Sequence, residues 1–313
     1  MRTRAARMEL LQRAGMLLVF ALLALACSLF VPSFASSDNL EALLLSVSTV
    51  GFVACTMLFC LASGNFDLSV GSIVACAGVV GAVVMRDTGS TALGVLAALA
   101  VGLTAGLVNG WVVAFARINP LITTLATMQI VRGAAYIAND GKSVAIGAPG
   151  FDALGSERLL GFPLPVWMCA FAMVAFGFVL ARTTFGRSTL AIGGNLEAAR
   201  LAGIRVERIQ LAIFGLQGLV CAFTGLVLAS RMTSGQPMSS QGLELEVISA
   251  CVLGGVSLSG GVGSMLAVVA GVLILGTVQN AMSLLNVDSF WQYVARGSIL
   301  LAAVLFDRWR TRA

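Results

Sequence analysis

The sequence predicts an all-α fold: a polytopic transmembrane helical bundle with broken helices, formed by residues 1–313 as a single domain. Apolar residues fill 58% of the 313 positions and charged residues only 11%, against roughly a quarter charged in an ordinary soluble domain. Mean hydropathy is +0.97. The apolar residues gather into ten segments, most of them close to the ~20 residues that a bilayer requires. So few charges cannot cover a soluble surface, which excludes a soluble enzyme, a disordered chain and a nucleic-acid binder despite the net charge of +5.

The elements follow in order. Arg2, Arg4, Arg7 and Arg13 precede a first segment, 15–31. Ser33-Phe34-Ala35 loosely resembles a signal-peptidase site, but the segment is longer than a normal signal-peptide core, so a retained span is expected. Segments 43–62, 68–85, 91–116 and 120–137 follow, then a connection at 139–163 with Gly, Pro and Asp in loop-like positions. Segment 164–181 leads to a second long connection, 182–210, with five arginines against Glu197 and Glu207. The remaining segments are 211–230, 247–258, 265–285 and 290–306. Segment 247–258 is too short alone, and must extend into its polar flanks or be a broken helix.

Basic residues set the expected orientation. With ten spans and a cytoplasmic N-terminus, 13 of the 19 Lys and Arg residues lie inside, four lie outside (Arg86, Lys142, Arg158 and Arg231), and Arg132 and Arg296 lie within spans. That bias places both termini in the cytoplasm, 139–163 in the periplasm and 182–210 in the cytoplasm.

Histidine is absent, which removes imidazole catalysis, His-ligated metal and imidazole proton relays. The seven cysteines lie in apolar runs without a C-x-x-C pair and read as small buried hydrophobes. Gly141-Lys142-Ser143 superficially suggests a phosphate-binding loop, but position 136, where its first glycine belongs, is Tyr136.

Three features carry chemistry. In 195–203, Asn195 can cap a short helix, Glu197 sits in the first turn, Arg200 near the last, and Gly203 can end it. Such a helix suits either a membrane surface or a groove on another protein. Second, the glycine-rich stretches 63–72 and 254–264 resemble each other. With one inserted residue, Gly64 aligns with Gly255, Leu68 with Leu258 and Ser72 with Ser264, which suggests an internal repeat. Helix breaks at membrane depth are tolerated where they are protein-buried or line an aqueous cavity; the alternative is a pair of short turns with Asp67 as a helix N-cap. Third, polar residues punctuate apolar segments: Asn109, Gln129, Arg132, Gln217, Gln279, Asn280 and Arg296. Amides both donate and accept, which suits a neutral hydroxylated solute, while others serve as interhelical hydrogen bonds. Asn65, Asp67, Ser69, Gln129 and Asn280 are the candidate lining of a solute path. No acidic residue lies clearly in mid-span, which argues against proton coupling.

Several stretches are more specific. Residues 64–72, Asn119-Pro120-Leu121-Ile122-Thr123-Thr124-Leu125-Ala126-Thr127-Met128, 184–203 and 254–264 resemble the membrane permease subunits of bacterial monosaccharide ABC importers, and the resemblance covers nearly the whole chain. Residues 57–76, 118–133 and 229–237 are most similar to arabinose permeases, so L-arabinose is the expected sugar, with another pentose or hexose as the alternative. The resemblance implies a second permease copy, a cytoplasmic ATPase with tandem cassettes that uses ATP and Mg, and a periplasmic sugar-binding protein, all in or at the inner membrane with its lipid. No cofactor is expected on this chain, and no nucleic acid. It also implies an ATPase-coupling role for Asn195, Leu196, Glu197, Ala198, Ala199, Leu201 and Gly203. Glu197-Ala198-Ala199 and Gly203 match an E-A-A-x-x-x-G core, although the I-x-L-P that follows in related importers is missing here. A secondary sugar carrier fits the composition too, but needs no such helix.

Overall fold

The computed structural model describes residues 2–312, with side chains described for 15–305. It is almost entirely helical. The helices are α1 (Arg2–Phe30), α2 (Ser37–Ala62), α3 (Val70–Thr88), α4 (Thr91–Ala114), α5 (Pro120–Ile137), α6 (Ala153–Ser156), α7 (Leu164–Arg182), α8 (Thr184–Gly194), α9 (Leu196–Leu201), α10 (Val206–Arg231), α11 (Leu243–Leu253), α12 (Met265–Leu284) and α13 (Ser289–Arg312). Four two-residue strands accompany them: β1 (Val144–Ala145), β2 (Arg158–Leu159), β3 (Phe162–Pro163) and β4 (Ser234–Gly235).

Each of the ten expected segments forms a helix, and about ten spans is a loose count by length and apolarity. Six helices qualify among the described residues: α2, α3, α4, α7, α10 and α12. The apolar part of α1 is Gly15–Phe30. In α5, Gln129 and Arg132 dilute the apolar run. Helix α11 has 11 residues, about 16 Å at 1.5 Å per residue, or half a bilayer core. The short segment therefore takes the broken-helix alternative, having started four residues earlier than expected.

Helix α2 is the axis of the bundle. It is apolar on every side, packs against α7, α10, α11 and α12, and is buried without interruption from Val50 to Ala62. That all-round apolarity marks a helix enclosed by others. A second centre is the triangle of α3, α4 and α10. Its closest seam follows from a row of small residues at every fourth position of α4: Gly94, Ala98, Gly102, Gly106 and Gly110. Gly102 lies against the backbone of Gly218 and Gly106 against that of Phe214, and a Cβ at either would collide with a carbonyl of α10. Small residues at this spacing let helix backbones touch, which substitutes for the hydrophobic drive that lipid does not supply.

The two long connections differ. Residues 139–163 are strapped to the bundle: β1 pairs antiparallel with β4, and β2–β3 form a hairpin turned by Leu160 and Gly161, both at positive φ. Ser230 donates to the Phe151 carbonyl at 2.6 Å, and Arg158 reaches Glu41 at 2.7 Å. Residues 182–210 hold two helices, α8 and α9, where one was expected. Helix α1 is continuous and packs on α12, and all seven cysteines are buried.

Candidate functional site

Helix α9 is built as its residues foretell. The Asn195 side chain accepts from the Ala198 N–H at 3.0 Å, and Glu197 stands in the first turn. At the other end Gly203 takes φ +82°, its N–H bonds the Arg200 carbonyl at 2.9 Å, and the Ile204 N–H bonds the Ala199 carbonyl at 3.1 Å. This pair of bonds is a Schellman closure, in which glycine supplies the left-handed residue. Arg200 bridges Glu197 at 3.3 Å and Glu207 at 3.1 Å, tying α9 to the first turn of α10.

The apolar members of the expected ATPase-coupling set divide. Leu201 is 90% exposed and Leu196 38%. Ala199 faces inward instead, packed with Ile192 and Val206, because its place on a one-and-a-half-turn helix is the side that closes on α8 and α10. It is a seat for the helix rather than part of its free face.

The two glycine-rich breaks close with the same bond pattern. After α2, the Gly64 N–H bonds the Leu61 carbonyl and the Asn65 N–H bonds that of Cys60, both at 2.9 Å. After α11, the Gly255 N–H bonds the Val252 carbonyl at 2.8 Å and the Val256 N–H bonds that of Cys251 at 3.0 Å. Gly64 and Gly255 are both at positive φ, so the aligned residues play one backbone role twice.

The breaks also meet. The Gly261 N–H donates to the Ala62 carbonyl at 2.9 Å. Gly193, near the end of α8, lies against both of these groups, where any Cβ would collide. Two residues later the chain reaches Asn195 and enters α9. Hence α9 is attached to a junction of bare backbone where the end of α2, the loop before α12 and the end of α8 touch.

From this junction a buried polar chain runs toward α5. Asp67 and Ser69 are fully buried. Asp67 Oδ1 accepts from the Ser69 N–H at 2.9 Å and from the Ser69 hydroxyl at 2.6 Å. Asn109 Nδ2 donates to Ser69 Oγ at 2.9 Å, and the Thr127 hydroxyl donates to Asn109 Oδ1 at 2.6 Å. Asp67 Oδ2 has no hydrogen-bond partner. The N-cap of α3 is Ser69 and not Asp67; Asp67 instead makes an Asx turn with Ser69 ahead of the helix, and the chain extends it across α4 to α5.

The other candidates separate. Asn65 is nearly buried and bonds Ser63 locally, Nδ2 to Oγ at 3.0 Å. Gln129 is exposed, on a face of α5 that also shows Ile122, Leu125 and Ile137. Asn280 lies near the far end of α12, where it and Asn39 of α2 exchange amide bonds at 2.7 and 3.0 Å. Arg132 donates to the carbonyls of Pro237 and Ser239, both at 2.8 Å. Sequence reasoning missed two partners. Asn109 was visible as a polar residue in a span, but nothing in it pointed to Ser69. Thr127 gave no signal, because threonine commonly satisfies itself on its own helix. A cavity of about 700 Å³ lined by Phe52, Trp167, Phe171, Phe176 and Phe223 among others is apolar, and suits lipid rather than a hydroxylated solute.

Residues 39–304 match the family described as the branched-chain amino acid transport system / permease component. The chain is 61% identical to the L-arabinose transport system permease protein AraH of Escherichia coli K12, over 96% of this chain and 91% of that protein. It is 52% identical to the L-arabinose ABC transporter permease protein AraH of Azospirillum brasilense, over 99% and 91%. It is 38% identical to the ribose import permease protein RbsC of Bacillus subtilis, over 95% and 93%. The chain therefore belongs to this permease family, as a membrane permease subunit of the monosaccharide ABC importers.

Proposed function

We propose that this permease carries L-arabinose inward across the bacterial inner membrane, driven by ATP that a separate cytoplasmic ATPase with tandem cassettes binds with Mg and hydrolyses. Two copies form the path, and a periplasmic sugar-binding protein delivers the sugar. Both termini, α8 and α9 lie in the cytoplasm, and 139–163 lies in the periplasm, as the arginine distribution favours. The name of the 61%-identical relative supports the choice of sugar.

The observation that carries the mechanism is the attachment of α9 to the backbone junction of Ala62, Gly193 and Gly261. A push on α9 reaches both helix breaks without crossing a flexible side chain. From the break after α2, the bonds through Asp67, Ser69, Asn109 and Thr127 reach the helix that bears Gln129. In this reading Gln129 meets the sugar on the face shared by the two copies, and Asp67 and Ser69 position that helix. Asn65 shapes the break, and Asn280 holds the far ends of α2 and α12 together.

The test is reconstitution. Permease, ATPase and binding protein in proteoliposomes should accumulate labelled L-arabinose only with ATP and with all three present. Uptake by the permease alone, along a sugar gradient or with an ion gradient, would identify a secondary carrier and overturn the proposal.

A further inference from the structure

Beside α9 lies a feature that transport does not explain. A cavity of about 600 Å³ opens between the end of α4 and the corner where α9 turns into α10. Arg117, Arg200, Arg205 and Arg208 line it, against one carboxylate, Glu207. Arg200 is committed to Glu197 and Glu207, whereas Arg117, Arg205 and Arg208 have no ion pair among the described residues. The cavity is therefore strongly positive, and three of its guanidinium groups are unspent.

The second observation is independent of charge. A partly exposed apolar track on α4 leads into this cavity. Leu103, Leu107, Trp111 and Phe115 follow one another at every fourth residue and are 39–58% exposed, about 100° round α4 from the glycine row pressed on α10, with Leu103 and Leu107 edging against Gly215 of α10. Phe115 belongs to both features, since it ends the track and lines the cavity. Trp111 stands one turn before it, the level at which aromatic side chains sit in a membrane interface.

A positive cavity at the foot of an apolar track fits a molecule with an anionic head and long apolar tails. We propose that this is a binding site for an anionic phospholipid, its phosphodiester held by Arg117, Arg205 and Arg208 and its acyl chains laid along α4. Guanidinium groups pair with phosphate oxygens two at a time, which a solvated lysine does not do, and basic pockets between spanning helices are known to take such headgroups. An acidic patch of the ATPase is the competing occupant. The exposed apolar residues of α9, Leu196 and Leu201, do not line the cavity, so the docking face and this cavity use different side chains. A lipid seated here bridges the α4–α5 turn to the α9–α10 corner.

The experiment uses the full chain without ATPase, with Trp111 as the sole tryptophan after Trp167→Phe, Trp291→Phe and Trp309→Phe. It is placed in vesicles of phosphatidylcholine with a minor fraction of brominated phosphatidylglycerol or, separately, brominated phosphatidylcholine. Bromine quenches tryptophan only on contact. At equal mole fraction the anionic lipid should quench Trp111 far more strongly, with at least a tenfold local preference, since each arginine contributes roughly fivefold. Arg117→Gln, Arg205→Gln and Arg208→Gln together should abolish the preference, and the matching Arg→Lys triple should retain part of it. Glu207→Gln should increase it, giving a readout of opposite sign should the glutamine triple fold poorly. Equal quenching by the two lipids overturns the proposal, as does a preference that survives the glutamine triple. Loss of the preference in millimolar inorganic phosphate overturns it in favour of a soluble anion. Loss of ATPase binding in the glutamine triple, without any lipid preference in the parent, assigns the cavity to the ATPase.

Discussion

Two substitutions two residues apart on α9, on opposite sides of the helix, should have different signatures. Leu201 is 90% exposed in the isolated permease, so replacing it removes nothing that the permease itself buries. If α9 enters a groove of the ATPase, Leu201 becomes buried there. Truncation to Ala deletes three carbons at roughly 0.8 kcal/mol each, about 2 kcal/mol and about thirtyfold in Kd. The unfolding midpoint of the permease should not move. Ala199 is 4% exposed, between Ile192 and Val206. Ala199→Asp forces a carboxylate into that contact at a cost of several kcal/mol, so the α8–α9–α10 corner should loosen and ATPase affinity should fall with it. The assay is titration of labelled ATPase onto nanodisc-held permease, with thermal unfolding run in parallel. A Leu201→Ala variant that binds ATPase within twofold of the parent refutes the docking geometry and makes α9 a membrane-surface helix. The Glu197–Arg200 pair is a poor substitute probe, because Glu197 is largely exposed and such pairs contribute little.

Three further outcomes follow from the packing. Gly106→Leu should sharply reduce the monodisperse protein recovered by size-exclusion chromatography, since its Cβ already collides with the Phe214 carbonyl, whereas Gly133→Leu, with open space around it, should be accepted. Asn280→Leu should destabilise by roughly 1–2 kcal/mol by stranding Asn39; differential scanning should find Asn39→Leu with Asn280→Leu less costly than the two single changes summed. Thr127→Val, which removes the hydroxyl bonded to Asn109, should lower ATP-driven sugar uptake more than it lowers the unfolding midpoint, with Thr127→Ser restoring uptake; an equal loss of both would make this bond merely structural.

The helices were legible because apolar runs are long and their punctuation is local. Pro120 and Ile137 bound α5 at the expected residues, and Asn195 and Gly203 bound α9 through bonds reaching no more than five residues. The fate of segment 247–258 was less legible, since its shortness left an extension or a break open until α11 was seen to end at Leu253. Helix α8 was missed because its opening signal, Thr183 accepting from Gly186, follows directly on the last residue of α7, Arg182. The backbone junction could not be read at all. It joins Ala62, Gly193 and Gly261 through peptide groups, which have no residue-type signature, and the repeat alignment showed that the breaks are alike without showing that they touch. The inward turn of Ala199 likewise depends on Ile192 and Val206, which flank α9 from two other helices.

The glycine row of α4 also sets a clock during biosynthesis. Its partner, α10, begins at Val206, some 90 residues after α4 ends at Ala114. At about 5–20 residues per second, roughly 5–20 s pass before the first turn of that partner is made. Through that interval the small-residue face of α4 must sit in the translocon or in lipid, with α4 held by its contact with α3. A nascent chain arrested between α5 and α10 carries an unfinished seam, which a membrane protease or chaperone can distinguish from a completed permease before any transport is possible.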